Sequence, residues 1–217
     1  MRKSILSLIF SVLMATGLIT SSSAVNLEGL GIGVSFGTGG FYAVGEEKDD
    51  NNPTGVDDTK QSGAFQHEIM SVFVEYDVGP ISFGLDYFMD DITTPENTNI
   101  QGSTTNTVKA TFQNHTTGYI ALPVWGGLYA KAGYMYVDIK TEERLGTGGE
   151  YGNTDTNGYT LGLGFENEIQ DGVSIRAELM GSRYDDVEAT NSKNTTTSVK
   201  VTDMMGASAR FSLVKTF

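Results

Sequence analysis

Arg176 and Glu178 stand two apart in the stretch VSIRAELM, and Arg210 stands in SARFSLV. Two apart on a strand means the same face, so these three charges form either an ion-paired cluster or part of a polar path. Acid–base chemistry would have to use His67 or His115, the two histidines of the chain. A nucleophile–base–acid arrangement needs a hydroxyl and an orienting carboxylate beside the base, and no spacing around either histidine supplies both. With no cysteine, disulfides and thiolate metal sites are excluded. The glycine runs GLGIG and GTGG lead into no helix, so they lack the context of a nucleotide-binding loop. No cofactor and no metal site is indicated.

The elements that hold these residues follow from the chain's patterning. Arg2 and Lys3 precede an apolar run from Ile5 to about Ile19, followed by a small-x-small site at Ser22-x-Ala24. That layout predicts a cleaved secretory signal over residues 1–24 and one domain over 25–217. Cleavage takes the net charge from -13 to -15, a balance that argues against nucleic acid, whose phosphates would repel the chain. Beyond the signal, apolar and polar residues alternate with period two and helical periodicity is missing. Alternation predicts eight strands: Leu30 to Val44, Ala64 to Val78, Ile81 to Asp90, Thr107 to Leu122, Leu128 to Thr141, Asn157 to Ile169, Val173 to Val187 and Ser198 to Phe217.

Their connections alternate in length. DVGP, PVWGG and QDG are tight turns, whereas residues 45–63, 91–106, 142–156 and 188–197 read as long polar loops. Short turns at one end and long loops at the other predict an all-β, eight-stranded antiparallel up-and-down transmembrane β-barrel with both termini at the short-turn end. One face of each strand is apolar, as in Tyr159, Leu161, Leu163 and Phe165, or Met70, Val72, Val74 and Tyr76. The opposite face is rich in Gly and Ser with isolated charges of both signs, which suits a cramped interior better than a wet surface. Tyr76, Tyr87, Tyr136, Tyr159 and Phe217 fall near the stripe ends, where interfacial aromatic girdles belong.

The signal, the eight strands and the terminal FSLVKTF resemble bacterial outer-membrane β-barrel proteins, the small porin-like, OmpA/OmpX-type superfamily. The resemblance implies location in the outer membrane of a Gram-negative bacterium, among its lipids and lipopolysaccharide. It also implies that Phe211, Leu213 and Phe217 form the signal read by the barrel-assembly machinery.

Inside such a barrel the candidate lumen charges are Glu75, Asp86, Lys109, Lys131, Glu166, Arg176, Glu178 and Arg210. An eight-stranded bore is just wide enough for side chains to fill, so two readings follow. One is a porin-like protein passing small solutes or ions along the charged lumen; the alternative is an electrically closed barrel acting through its extracellular loops. Gly31, Gly33, Gly162 and Gly164 would either widen the bore or make room for long Arg and Lys chains. A minor alternative is a lipid-modifying enzyme: His115-Thr116-Thr117 resembles the His-x-Ser of outer-membrane lipid A deacylases, with Thr117 where Ser should stand. The expectation is a non-enzyme.

Overall fold

The computed structural model describes residues 27–49, 59–101, 104–146, 149–193 and 195–217. The expected signal segment and the tip of the first loop, 50–58, lie outside the described residues. The described regular structure is all strand: β1 Leu30–Asp49, β2 Thr59–Val78, β3 Ile81–Phe88, β4 Ile92–Thr93, β5 Asn97–Gln101, β6 Thr104–Trp125, β7 Leu128–Arg144, β8 Thr154–Gln170, β9 Val173–Tyr184, β10 Val187–Thr190 and β11 Thr197–Thr216. Every pairing is antiparallel, the ring runs β1-β2-β3-β6-β7-β8-β9-β11, and β11 returns to β1. The main chain closes at the C-terminus itself, where Phe217 N donates to Leu30 O and Gly29 N to Phe217 O, both at 3.0 Å. A terminal strand in lipid has to pair this fully, because each unpaired backbone group there costs several kcal/mol.

Tight turns join the strands at this end. Gly126 and Gly127 take φ of +58° and +88° between Trp125 and Leu128, the backbone of a two-residue turn that twists with its strands. At the other end the strands outrun the expected boundaries: β1 reaches Asp49, β2 begins at Thr59 and β7 reaches Arg144. These extensions are polar on both faces, so they carry no hydrophobic alternation. The third and seventh strands are interrupted. β3 stops at Phe88, β4 and β5 continue its course against β6, and β10 continues β9 against β11.

Two bulges re-phase the wall. Asn114 in β6 and Asp203 in β11 are non-glycine residues at φ +53° and +51°, each beside a register shift. An extra residue flips the faces that follow it. Thus Phe112 and Ala110 turn inward, onto a cluster of Ile139, Val187, Met204, Ala43, Tyr184 and Val201 that fills the loop end of the barrel.

The outer wall bears Phe211 (71% exposed), Leu179 (68%) and Leu161 (67%), with Leu163, Phe83 and Leu85. On a water-soluble domain such a belt would be a large exposed apolar patch; on a membrane barrel it is the outward apolar band, typically about 25 Å tall, that meets the hydrocarbon core. Tyr76, Trp125, Phe165 and Phe217 rim it at the short-turn end, and Tyr134, Tyr136 and Tyr159 at the other, all exposed. Tyr87 departs from the girdle expected for it. It is buried, with its hydroxyl 3.4 Å from Oδ1 of the bulge residue Asn114.

Candidate functional site

Six charged side chains meet inside the barrel. Glu75 from β2, Asp86 from β3, Lys131 from β7, Arg176 and Glu178 from β9, and Arg210 from β11 are all buried. Period-two alternation aims each at the axis, and the ring brings the strands within side-chain reach. Three carboxylates meet three cations, so the cluster is neutral.

Its bonds form two linked groups. Arg176 donates from Nη1 and Nη2 to Oε2 and Oε1 of Glu75 at 2.8 and 2.5 Å, and its Nε lies 2.9 Å from Glu166 Oε2. Tyr119 Oη donates to Glu75 Oε2 at 2.9 Å. Glu178 is the hub of the second group: Oε1 accepts from Tyr129 Oη and Lys131 Nζ, both at 2.9 Å, and Oε2 accepts from Arg210 Nη2 at 3.2 Å. Arg210 Nη1 also reaches Asp86 Oδ2 at 2.6 Å. Lys131 Nζ sits 3.9 Å above the Tyr119 ring and so ties the groups together.

Three rings complete the plug, each lying over a glycine directly across a strand pair. Phe73 covers Gly33, Tyr119 covers Gly84 and Tyr129 covers Gly164; a Cβ at any of these glycines would overlap the ring. The inward glycines therefore make room mainly for aromatic rings, while Gly31 lies under the Glu75 side chain and Gly162 under Met180. These rings could be found from sequence only once the register was known, because the glycine each one needs lies on another strand.

Glu166 is half-buried at the short-turn mouth of the lumen, where it meets Arg176. Lys109 differs from its expected place. Its neighbours Ala110 and the in-phase Phe112 face the inner cluster, so Lys109 points outward, 3.5 Å from Glu142 of β7. The physical reason is the Asn114 bulge, which reverses the faces of β6 beyond it. Outside the membrane, Lys109 and Lys140 hold the Glu142 carboxyl below its ordinary range.

The histidines do not meet. His67 lies on β2, its backbone oxygen accepting from Thr38 Oγ1 at 3.3 Å. His115 is buried, stacked on Phe88 at 4.0 Å, with Nε2 3.2 Å from Tyr184 Oη. Asp86, the nearby carboxylate, is taken by Arg210. His115 and Arg210 line a cavity of about 30 Å³ above the plug, room for about two water molecules. His115 Nδ1 and Arg210 Nε have no partner among the described residues.

Phe211 and Leu213 lie on the lipid face of β11, and Phe217 ends the chain in the closing pair with β1.

The family described as outer membrane protein β-barrel domain matches residues 10–202. Among solved structures the chain is similar to the outer-membrane protein OprG from Pseudomonas aeruginosa, at 12% identity and TM-score 0.53, covering 88% of this chain and 97% of that one. It is also similar to the outer-membrane protease OmpT from Escherichia coli, at 9% identity and TM-score 0.51, covering 91% and 100%. At such identities the likeness is one of fold. No curated protein matches the sequence.

Proposed function

The chain belongs to the outer-membrane β-barrel family and is a Gram-negative outer-membrane protein, and from that premise we propose that it is an electrically closed barrel that acts at the cell surface through the extension of its strands beyond the membrane. One observation carries this reading: the bore is occupied at two levels. The charge-neutral plug of Glu75, Asp86, Lys131, Arg176, Glu178 and Arg210, with its three rings, fills the middle. The apolar cluster around Ile139, Val187 and Met204 fills the loop end. Between them remains a cavity of about 30 Å³, too small for a solute larger than a few waters.

The porin-like reading would need that plug to part. Six charges bonded in two linked groups resist this, since separating a pair leaves an uncompensated charge in a narrow lumen. The lipid-modifying reading finds less support, because His115 has neither an orienting acid nor a nucleophilic hydroxyl bonded to it apart from Tyr184. On the closed reading the partners are the surrounding lipids and lipopolysaccharide, the assembly machinery that reads Phe211, Leu213 and Phe217, and whatever meets the outer rim. Reconstitution into planar bilayers tests it: an inserted barrel that adds no current supports the proposal, and discrete current steps refute it.

A further inference from the structure

The barrel wall is open on one side at its outer end. β2 pairs with β3 only between Ser71 and Val78, while its whole length from Thr59 onward stays paired to β1 on the other side. The chain that should continue β3 turns away after Phe88, and β4 and β5 pair with β6 instead. Pro95, between those two short strands, has no N–H to give to a ladder. Below, the seam is fastened where Met89 N donates to Met70 O at 2.8 Å, and above where Asn97 Nδ2 donates to Gln61 Oε1 at 2.9 Å. Between these points Ser62–Ile69 has no strand beside it among the described residues, leaving a free edge of eight residues, about 25 Å long. The opposite side is laced shut: Ser192 N donates to Glu150 O at 2.8 Å, and Tyr151 Oη to Glu47 Oε1 at 3.3 Å. Burial and Glu47 push the Tyr151 hydroxyl up to about 12, so it remains a donor.

The free edge stands in water. An unpaired edge is not tolerated in hydrocarbon, and the outward residues next above Met70 are polar: Gln66, Glu68 and Thr38, with Gln66 Nε2 2.9 Å from Thr38 Oγ1, while the exposed Tyr42 lies farther out, across from Ala64. The lipid-facing stripe of β2 begins below them, at Met70. Soluble proteins blunt such edges with short strands, bulges or lysines; here the edge is long and the charges around it are mostly negative. Glu68 stands on the edge itself, Asp90 and Asp91 follow Met89 at its lower fastening, and Glu96 precedes Asn97 at its upper one, with Lys60 next to Gln61. Among the described residues no ion pair engages Glu68, Asp90 or Glu96. On the inner side of the edge Phe65 stacks on Phe41 at 5.5 Å, an apolar floor for alternate side chains of an added strand.

We propose that Ser62–Ile69 is a docking edge for an extended basic segment of another polypeptide, which adds as a strand to β2 with its basic side chains against Glu68, Asp90 and Glu96. Strand addition draws affinity from main-chain hydrogen bonds and selectivity from alternate side chains; here the acidic rim selects the sign of the partner. The proposal rests on the reading of the protein as a closed barrel acting at the cell surface, and it names the partner of that surface.

The test uses the full chain refolded in detergent micelles and two acetylated octapeptides, Lys-Val repeated four times and Glu-Val repeated four times. Fluorescence anisotropy reports binding, and hydrogen exchange of the backbone amides reports its place. The basic peptide should bind at least about tenfold more tightly than the acidic one, slow the exchange of residues 62–69, and lose about tenfold in affinity to the E68K/E96K variant. Equal binding to that variant, or no added protection at 62–69, overturns the proposal. So does protection of the same amides without peptide in a dimeric sample, which would assign the edge to a second copy of this chain. Bilayer recording is independent: a silent barrel whose edge ignores the peptide refutes the docking edge alone, whereas a conducting one refutes the closed reading.

Discussion

Arg176 and Glu75, on strands that are not neighbours in the ring, form a two-point hydrogen-bonded pair across the lumen, with Nη2 2.5 Å from Oε1 and Nη1 2.8 Å from Oε2. This fork bridges β9 and β2 over the inward faces of β11 and β1. It braces the wall and stops the bore in one contact. Glu75→Ala would strand the Arg176 guanidinium with only the half-buried Glu166 beside it. Losing one partner of a buried pair costs about 3–5 kcal/mol where burial is complete. The expected outcome is a lower urea midpoint for unfolding from detergent micelles or lipid vesicles.

Glu178 makes the sharper comparison because its neighbour in sequence faces the other way. Glu178 is 3% exposed and accepts from three donors, while Leu179 is 68% exposed on the outer wall. Glu178→Ala should therefore destabilise the barrel strongly, and Leu179→Val by well under about 1 kcal/mol, since the side chain stays in hydrocarbon. Equal shifts in the two unfolding curves would mean that β9 is inside out.

Charge balance predicts non-additivity. Lys131→Met leaves Glu178 under-compensated and Glu178→Gln leaves Lys131 in excess, but the two together restore neutrality. Residues of one network couple by about 0.5–3 kcal/mol, so the double variant should be more stable than the sum of the single losses predicts. A double-mutant cycle on the unfolding free energies gives the coupling directly; additive losses would mean that the two groups do not interact.

The ring-over-glycine pairs make a steric prediction. A Cβ at Gly33, Gly84 or Gly164 would overlap Phe73, Tyr119 or Tyr129 respectively, whereas one at Gly40 meets open space. Overpacking costs about 1–3 kcal/mol, so alanine at any of the first three should lower the unfolding midpoint and alanine at Gly40 should leave it nearly unchanged. The same measurement decides whether the rings rest where described.

The barrel's middle was legible in the sequence because there one face meets lipid and the other meets a packed lumen. Hence the inward placement of Glu75, Asp86, Lys131, Arg176, Glu178 and Arg210 follows from period two alone. Beyond the membrane both faces are wet, so the polar residues of Thr59 to Gly63 look like loop although they pair with β1. Bulges are equally silent. Nothing in the run of residues around Asn114 announces the extra residue that turns Lys109 outward. The partners across the lumen, such as Arg176 with Glu75 at a separation of 101 residues, depend on ring size and register, which one strand's pattern does not contain.

Single-barrel recording in planar bilayers shows whether the bore is shut. With insertion verified by heat-modifiable gel mobility, the intact protein should leave the baseline current unchanged across the usual range of voltages. Reproducible discrete steps from the purified barrel would mean that the plug of Arg176, Glu75, Lys131, Glu178, Arg210 and Asp86 parts under working conditions and that the barrel is a channel.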